Sequence, residues 1–416
     1  MSIDEARRRV LSSCRRLSPR EFPASEALGL VLAASVRSEE PLPPFANSAM
    51  DGYAVRSSDV VSVPARLREV GAVMAGDLPG AVAVKEGETA RIMTGAPLPS
   101  GADAVCMVEH SHLEDGWVVV EEAVRAGTHV RPAGDDIEAG EEVFVAGDQL
   151  GASHLAVLAA IGAGSVLAYP RPRVGVLSTG DELVSGPGPL PPGKLRDSNR
   201  PGLLAQLRAD GFEAVDLGTA ADDAAVLARR LAEAAERYDA VLTSGGVSMG
   251  EHDLVKVVLG QLGGQQASWL QVAVKPAKPL AFSTLAPRGT PVFGLPGNPV
   301  SAFVSYELFA RPALRYMAGH SRLGRPSLRA LSAEPLRRVP DGRLHLVRVI
   351  LWVDGGQLSV RPVRGQGSHQ LRSLAQASAL ALVPDGDGLS AGDEVEVWVL
   401  DEGPLAGGES WAPSQP

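Results

Sequence analysis

Between residues 169 and 319 short apolar runs take turns with longer amphipathic ones, and this alternation constrains the fold more than any other feature of the chain. Arg173-Val174-Gly175-Val176-Leu177-Ser178 reads as a buried strand ending in a glycine turn. A helix is expected from about Pro201, capped by Asp197-Ser198-Asn199. After it the pattern predicts strand 213–218, helix 222–237, strand 240–244, helix 253–262, strands 268–274 and 291–295, and helix 299–317. Such alternation predicts a parallel sheet with right-handed crossovers and helices on both faces, a three-layer α/β domain. Ligands of these folds sit at the carboxyl ends of the strands.

The flanks read differently. Residues 3–37 are expected to be helical, with prolines at 41, 43 and 44 forcing an extended exit. From 45 to about 150 the texture is short strands and turns, including a hairpin signal at Asp115-Gly116. A helix over 153–161 is expected to pair with the N-terminal one. Beyond Arg325 apolar runs over 344–353 and 357–363 are separated by Gly-rich turns, which predicts a small β-barrel or sandwich. The expectation is an α/β multidomain chain. It has an N-terminal helical/linker domain (1–44 together with 135–168) and a β-rich inserted domain (45–134). The α/β domain (169–320), a C-terminal small β-barrel domain (321–403) and a disordered tail (404–416) follow. Aromatics make up only 4% of residues, so these cores must rest on Val, Leu and Ala. Two cysteines, Cys14 and Cys106, give no disulfide framework. With no apolar leader and no long apolar stretch, a cytoplasmic protein without membrane contact is expected. A net charge of −10 argues against a general nucleic-acid surface and leaves room for a local cationic site.

Two motifs suggest where that site lies. Lys275-Pro276-Ala277-Lys278-Pro279 places two ammonium groups on a proline-stiffened turn. Gly294-Leu295-Pro296-Gly297-Asn298-Pro299-Val300-Ser301 places Asn298 to cap a helix whose first residue is Pro299. Fixed lysines beside an open helix start favour an oxyanion or phosphate. The strand exits Ser178-Thr179-Gly180-Asp181-Glu182 and Thr243-Ser244-Gly245-Gly246-Val247-Ser248 add hydroxyls and backbone N–H groups that can cradle oxyanions. Glu182, Asp222 and Asp253 fall on the same edge, although Asp222 and Asp253 also read as plain helix caps. Carboxylates with lysines fit a magnesium-bridged phosphate site. No Walker loop, nucleophile elbow or metal-spaced histidine set is present. Outside the α/β region, the stretch 43–54 is a run of apolar and small residues interrupted by Asn47 and Asp51, and 91–103 reads as a long Pro/Gly turn after a strand.

Taken together, Phe45-Ala46-Asn47-Ser48-Ala49-Met50-Asp51-Gly52-Tyr53, Met93-Thr94-Gly95-Ala96-Pro97-Leu98-Pro99, the two strand exits, the Lys-Pro motif and the Gly-Leu-Pro-Gly-Asn-Pro motif resemble the MoeA family. These are the molybdopterin molybdenumtransferases, similar to the C-terminal part of gephyrin. The resemblance runs in order along nearly the whole chain. It implies an elongated four-domain homodimer whose α/β domain has the molybdopterin-binding, MogA-like fold. It also implies a reaction in which adenylyl-molybdopterin and molybdate give molybdenum cofactor and AMP, with Mg²⁺ required. The site would lie between the α/β domain of one subunit and the β-rich domain of the other.

Carried over by position, catalytic roles fall on Asp51, Thr94, Glu182, Asp222, Asp253 and Lys275. Substrate-binding roles fall on Asp136, Thr179, Gly180, Ser244, Gly245, Gly246, Ser248, Lys275, Lys278, Pro279, Pro296, Gly297, Asn298, Pro299 and Ser301, with Arg348 and Ser368 at the molybdate pocket. Glu182, Asp222 and Asp253 would hold the metal. Gln271 stands where some bacterial relatives carry lysine. Further partners implied are the adenylyltransferase of the preceding step and acceptor molybdoenzymes. The alternatives are adenylyl transfer itself, on the same α/β fold, and a receptor-binding scaffold. The domains flanking the α/β region and the Lys-Pro-x-Lys-Pro turn favour insertion over adenylylation.

Overall fold

The computed structural model describes residues 1–246, 254–263, 267–401 and 403–405 of the chain. These group into two compact units, Arg20–Ala168 on the one hand and Met1–Pro19 with Tyr169–Pro416 on the other.

The Arg20–Ala168 unit is built on a six-stranded sheet. Its strand order is Ala104–Met107, Gly52–Val55, Glu88–Ile92, Ala65–Val73, Trp117–Val120, Ser111–Glu114. The Asp115-Gly116 hairpin forms as expected. Glu114 faces Trp117 across it, and φ values of +51° and +80° supply the left-handed pair that a two-residue turn requires. The helix expected over 3–37 is corrected to Ile3–Ser12. Pro19 and Pro23 interrupt the ladder of N–H donors, and Arg20–Pro23 becomes a strand paired with Ser165–Tyr169. The apolar residues Leu30, Val31 and Leu32 were burial without helical period. The expected pairing of the two outer helices also fails. Ala6 and Val10 pack into the core that holds Tyr306, Leu308 and Phe309, whereas Leu158 of helix Ala152–Ala160 belongs with Leu30, Leu32 and Leu150.

In the other unit the sheet order is Glu213–Ala220, Arg173–Thr179, Ala240–Ser244, Thr290–Leu295, Pro279–Leu285, Ser268–Gln271. Helices Asn199–Ala209, Ala224–Arg237 and Leu254–Gly263 complete the layers, and two apolar clusters share the strands between them. The first four strands are parallel. The expectation of a wholly parallel sheet is corrected by the last two, which run antiparallel to their neighbours. Residues 286–289 between Pro279–Leu285 and Thr290–Leu295 are too few for a crossover, so only a hairpin can close there. The strand expected over 268–274 stops at Gln271. Val274–Lys275 leaves to pair with Leu344–Asp354 of the C-terminal sheet, and this carries Lys275 out of the α/β sheet.

That C-terminal sheet is a closed barrel. Leu344–Asp354, Gln357–Pro362, Ser327–Ser332, Glu394–Val399 and Ala379–Val383 follow one another, and the last pairs back onto the first. Closure removes the unpaired edges that a sandwich would leave. The tail expected after 404 lies outside the described residues from 406 onward.

The expected helix 299–317 is interrupted. Pro299–Ser305 passes through a π-helical turn, Tyr306–Ala310, into Arg311–Met317. Pro312 has no N–H, so the Leu308 carbonyl four residues earlier loses its helical donor. Arg7 replaces it, donating from Nε at 2.9 Å, while its guanidinium lies 5.0 Å above the Trp398 ring. The same helix carries a buried ionic network. Arg311 Nε donates to Asp210 Oδ1 (2.9 Å), Tyr306 donates to Asp210 Oδ2 (2.7 Å), and Arg325 donates to both Glu307 oxygens (2.9 and 2.8 Å).

At the rim of this network Arg315 Nη2 donates to His320 Nδ1 at 3.2 Å, so the imidazole stays neutral. Burial first, and the Arg315 and Arg311 charges second, push its pKa down to about 4. The unfolded chain takes up this proton near pH 6.5 and the folded chain does not, so stability falls as pH drops from 6.5 towards 4. His320 alone is expected to remove roughly 3 kcal/mol across that window. Urea unfolding at the two pH values should show a clearly smaller loss in His320→Gln.

Candidate functional site

The carboxyl ends of three parallel strands meet at Thr179, Ser244 and Leu295, with Ser178 and Leu295 both in register with Ser244. Thr179 and Ser244 are buried, and Thr179 Oγ1 donates to the Ser244 carbonyl at 3.5 Å. The chain then turns through Gly245, whose φ is +96°. A Cβ there would stand 2.3 Å from the Thr179 carbonyl oxygen, so only glycine fits. Gly245→Ala is therefore expected to lower stability by more than about 1 kcal/mol and distort the loop. Gly297→Ala, whose Cβ would meet only the Gly245 Cα at 3.7 Å, should be tolerated. Thermal unfolding of the two variants checks the contrast.

One amide ties the loops together. Asn199 Nδ2 donates to Ser244 Oγ and to the Gly297 carbonyl, both at 2.7 Å. The sequence reading treated Asn199 only as part of a helix cap and missed this bridge. Its place directly after a turn at the strand edge was the available signal.

Around this bridge lie two adjoining clefts. A smaller one of about 370 Å³ is lined by Thr179, Glu182, Ser244, Gly245, Asn298 and Pro299, among others. A larger one of about 990 Å³ is lined by Lys275, Lys278, Pro279, Pro296, Ser301 and Ser368, with Arg343 and Gln366. Glu182, Leu195, Gly297, Asn298 and His369 belong to both walls. His369 was another omission, since nothing in its local pattern marks it. Neither lysine ammonium has a hydrogen bond or ion pair among the described residues, so both charges are uncompensated at the cleft.

Several expected positions are placed differently. The helix start at Asn298-Pro299 is less open than expected. Asn298 is the cap residue but makes no side-chain cap bond, and the Val300 N–H is taken by the Ser368 carbonyl at 3.0 Å. Arg348, expected at the cleft wall, is instead fully buried in the barrel. It donates from Nη2 to the carbonyls of Gly365 (3.0 Å) and Gly367 (3.2 Å), and burial lowers its pKa to about 10. It props the segment carrying Ser368 from behind. Gly246 follows Gly245 in the same turn, with φ +62°. Ser248 and Asp253 lie outside the described residues.

The carboxylates form a second feature. Asp223, not Asp222, caps helix Ala224–Arg237, accepting from the Val226 N–H at 2.8 Å. Asp222 pairs instead with Asp181. The backbone N–H of each donates to the other's carboxylate, at 3.1 and 3.3 Å. Glu182 folds back over Gly180, whose Cβ would fall 2.6 Å from the Glu182 Oε2. Among the described residues no three His, Cys, Asp or Glu side chains are grouped to hold a metal ion. Magnesium is commonly held by one or two carboxylates, with phosphate oxygens and water completing the shell. The donor set here fits a cation that arrives with its phosphate.

Asp51, Thr94 and Asp136 belong to the Arg20–Ala168 unit. Thr94 donates to Asp51 Oδ1 from both its hydroxyl and its backbone N–H, each at 2.7 Å. These bonds, with Arg91 nearby, hold the exposed Asp51 carboxyl below the usual carboxylate range. Asp136 is exposed, and only its backbone N–H is engaged, donating to the Leu42 carbonyl.

Comparison with known proteins follows the same layout. Residues 1–162 match the profile described as MoeA N-terminal region (domain I and II), residues 175–316 that of a probable molybdopterin binding domain, and residues 331–400 that of MoeA C-terminal region (domain IV). The chain is 37% identical over 409 residues to molybdopterin molybdenumtransferase 2 of Mycobacterium tuberculosis, covering 96% of this chain and 99% of that one. It is 35% identical to the molybdopterin molybdenumtransferase of Haemophilus influenzae, covering 95% and 98%. The crystal structure of a molybdopterin biosynthesis MoeA protein from Pyrococcus horikoshii superposes with a TM-score of 0.81 at 31% identity, covering 96% and 98%.

Proposed function

Because the chain belongs to the MoeA family, we propose that it inserts molybdenum in molybdenum cofactor biosynthesis, converting adenylyl-molybdopterin and molybdate into molybdenum cofactor and AMP. The observation that carries this reading is the pair of uncompensated lysines on a cleft of about 990 Å³ beside the Ser244-Gly245 turn.

Molybdate is a dianion and its co-substrate carries a diphosphate bridge, so their approach is opposed by like charges. Lys275 and Lys278 offset that repulsion, and Ser301 and Ser368 orient the oxyanion. The Thr179, Ser244 and Gly245 turn holds the nucleotide side, with Asn199 fixing the spacing of its two loops. Glu182 and Asp222, with Asp253, would hold Mg²⁺, which when bound neutralises the diphosphate. Catalysis rests on positioning and electrostatics, without a covalent enzyme intermediate.

The protein acts as a homodimer, and Asp51, Thr94 and Asp136 serve the cleft of the partner subunit. A four-domain division, with Met1–Pro19 reassigned to the unit that holds the α/β region, a cytoplasmic location, and hand-over from an adenylyltransferase to acceptor molybdoenzymes complete the reading. The test is AMP release from adenylyl-molybdopterin on addition of molybdate and Mg²⁺. Molybdate-dependent release supports insertion. ATP-dependent adenylylation of metal-free molybdopterin without molybdate would replace this reading with the preceding reaction.

A further inference from the structure

A separate concave site shares no residue with the two clefts just described. It measures about 490 Å³ and is lined by Arg9, Arg15, Arg288, Ser12, Ser13 and Ser268, with Pro287 and Gly289 at its edge. It lies where the end of helix Ile3–Ser12 meets the start of the edge strand Ser268–Gln271 and the 286–289 hairpin. All of these belong to one compact unit.

Its charge is unusual for this protein. The chain as a whole carries −10, yet three arginines line this one cleft. Those of Arg9 and Arg15 have no hydrogen bond or ion pair among the described residues. Arg288 is partly neutralised, donating to Asp239 at 3.0 Å and to the Glu236 carbonyl at 3.2 Å, while its Nε has no partner among those residues. The acidic residues of the same helix, Asp4 and Glu5, sit in its first turn, away from the site. Arg7 and Arg16, by contrast, are committed to structure, Arg7 on Leu308 and Trp398 and Arg16 over Tyr169 and Tyr316.

We propose that this cleft is a binding site for a phosphate-class polyanion, of which diphosphate is the simplest. Guanidinium forks match phosphate oxygens in pairs, and the Ser268 hydroxyl supplies a neutral donor beside them, whereas the Ser12 and Ser13 hydroxyls already donate to the Arg9 carbonyl at 2.9 and 3.2 Å. No aromatic ring lines the cleft to stack a base, so recognition is of the phosphates alone. The volume admits more than one phosphate group.

The test is a titration of the full-length Lys275→Ala/Lys278→Ala protein, whose catalytic cleft is disarmed, with inorganic pyrophosphate by calorimetry. Saturable binding of one pyrophosphate per chain is expected, weakened by about tenfold or more when Arg9→Ala and Arg15→Ala are added. Both arginine side chains sit at the surface, so unfolding midpoints should not change. Absence of saturable binding would overturn the proposal, as would binding that the added substitutions leave intact. Wild-type AMP release should be retained by Arg9→Ala/Arg15→Ala in the presence of both lysines. Loss of that release with an unchanged unfolding midpoint would assign the arginines to the insertion reaction and overturn a separate site.

Discussion

Lys275→Ala is expected to lower AMP release by about 10²–10³-fold while leaving the protein folded. The reasoning starts from position. Val274–Lys275 pairs with the barrel strand Leu344–Asp354, so a rigid ladder aims the residue, yet its side chain is exposed and has no partner among the described residues. Removing it leaves no buried group unpaired, so stability is untouched. What disappears is a charge fixed in advance where negative charge accumulates, and such a donor typically contributes about 2.7–4 kcal/mol to a transition state. Steady-state turnover and the unfolding midpoint, measured together, separate the two effects. A variant within a factor of a few of wild type would remove Lys275 from the oxyanion site.

Asp210→Ala is expected to cost about 3–5 kcal/mol of stability. The Asp210 side chain is 4% exposed and that of Arg311 6%. Truncation would leave Arg311 with Glu307 at 3.9 Å as its nearest remaining carboxylate, and Glu307 is already engaged by Arg325. It would also strip the Tyr306 hydroxyl of its acceptor. A buried charge left uncompensated is far more costly than a surface pair removed. Arg329→Ala, which breaks an exposed pair with Glu394 at 3.6 Å, is the contrasting control and should cost under about 1 kcal/mol. Urea unfolding of both variants gives the comparison, and equal small shifts would show that the network is not a stabilising element.

The fold was legible in the sequence wherever a local rule decides the structure. Asp115-Gly116 demands a left-handed pair and produced the hairpin, and the strands at Arg173–Thr179 and Ala240–Ser244 announce themselves through the apolar runs 174–177 and 240–242. Reading failed where the choice of pairing partner decides. Pro279–Leu285 is a strand because Thr290–Leu295 offers it an edge, and Val274–Lys275 leaves one sheet because the barrel offers another. Leu30, Val31 and Leu32 are apolar because they are buried, and burial alone does not distinguish helix from strand. The lysines and glycines of the cleft were visible as motifs. Asn199 and His369 were not, because each matters through what folding brings beside it. Arg348 shows the converse, a residue assigned to the cleft by resemblance that the fold places behind it.

Subunit complementation tests the central claim most directly. Lys275→Ala and Asp51→Ala chains, each inactive alone, are mixed, dissociated and reassembled, with hybrid dimers verified by native mass spectrometry. If each site draws Asp51 from one subunit and Lys275 from the other, every hybrid has one intact site. Half of the dimers are then hybrids, and activity should return to about a quarter of the wild-type value. Hybrids no more active than their parents would mean that each chain builds its site alone, which contradicts the account.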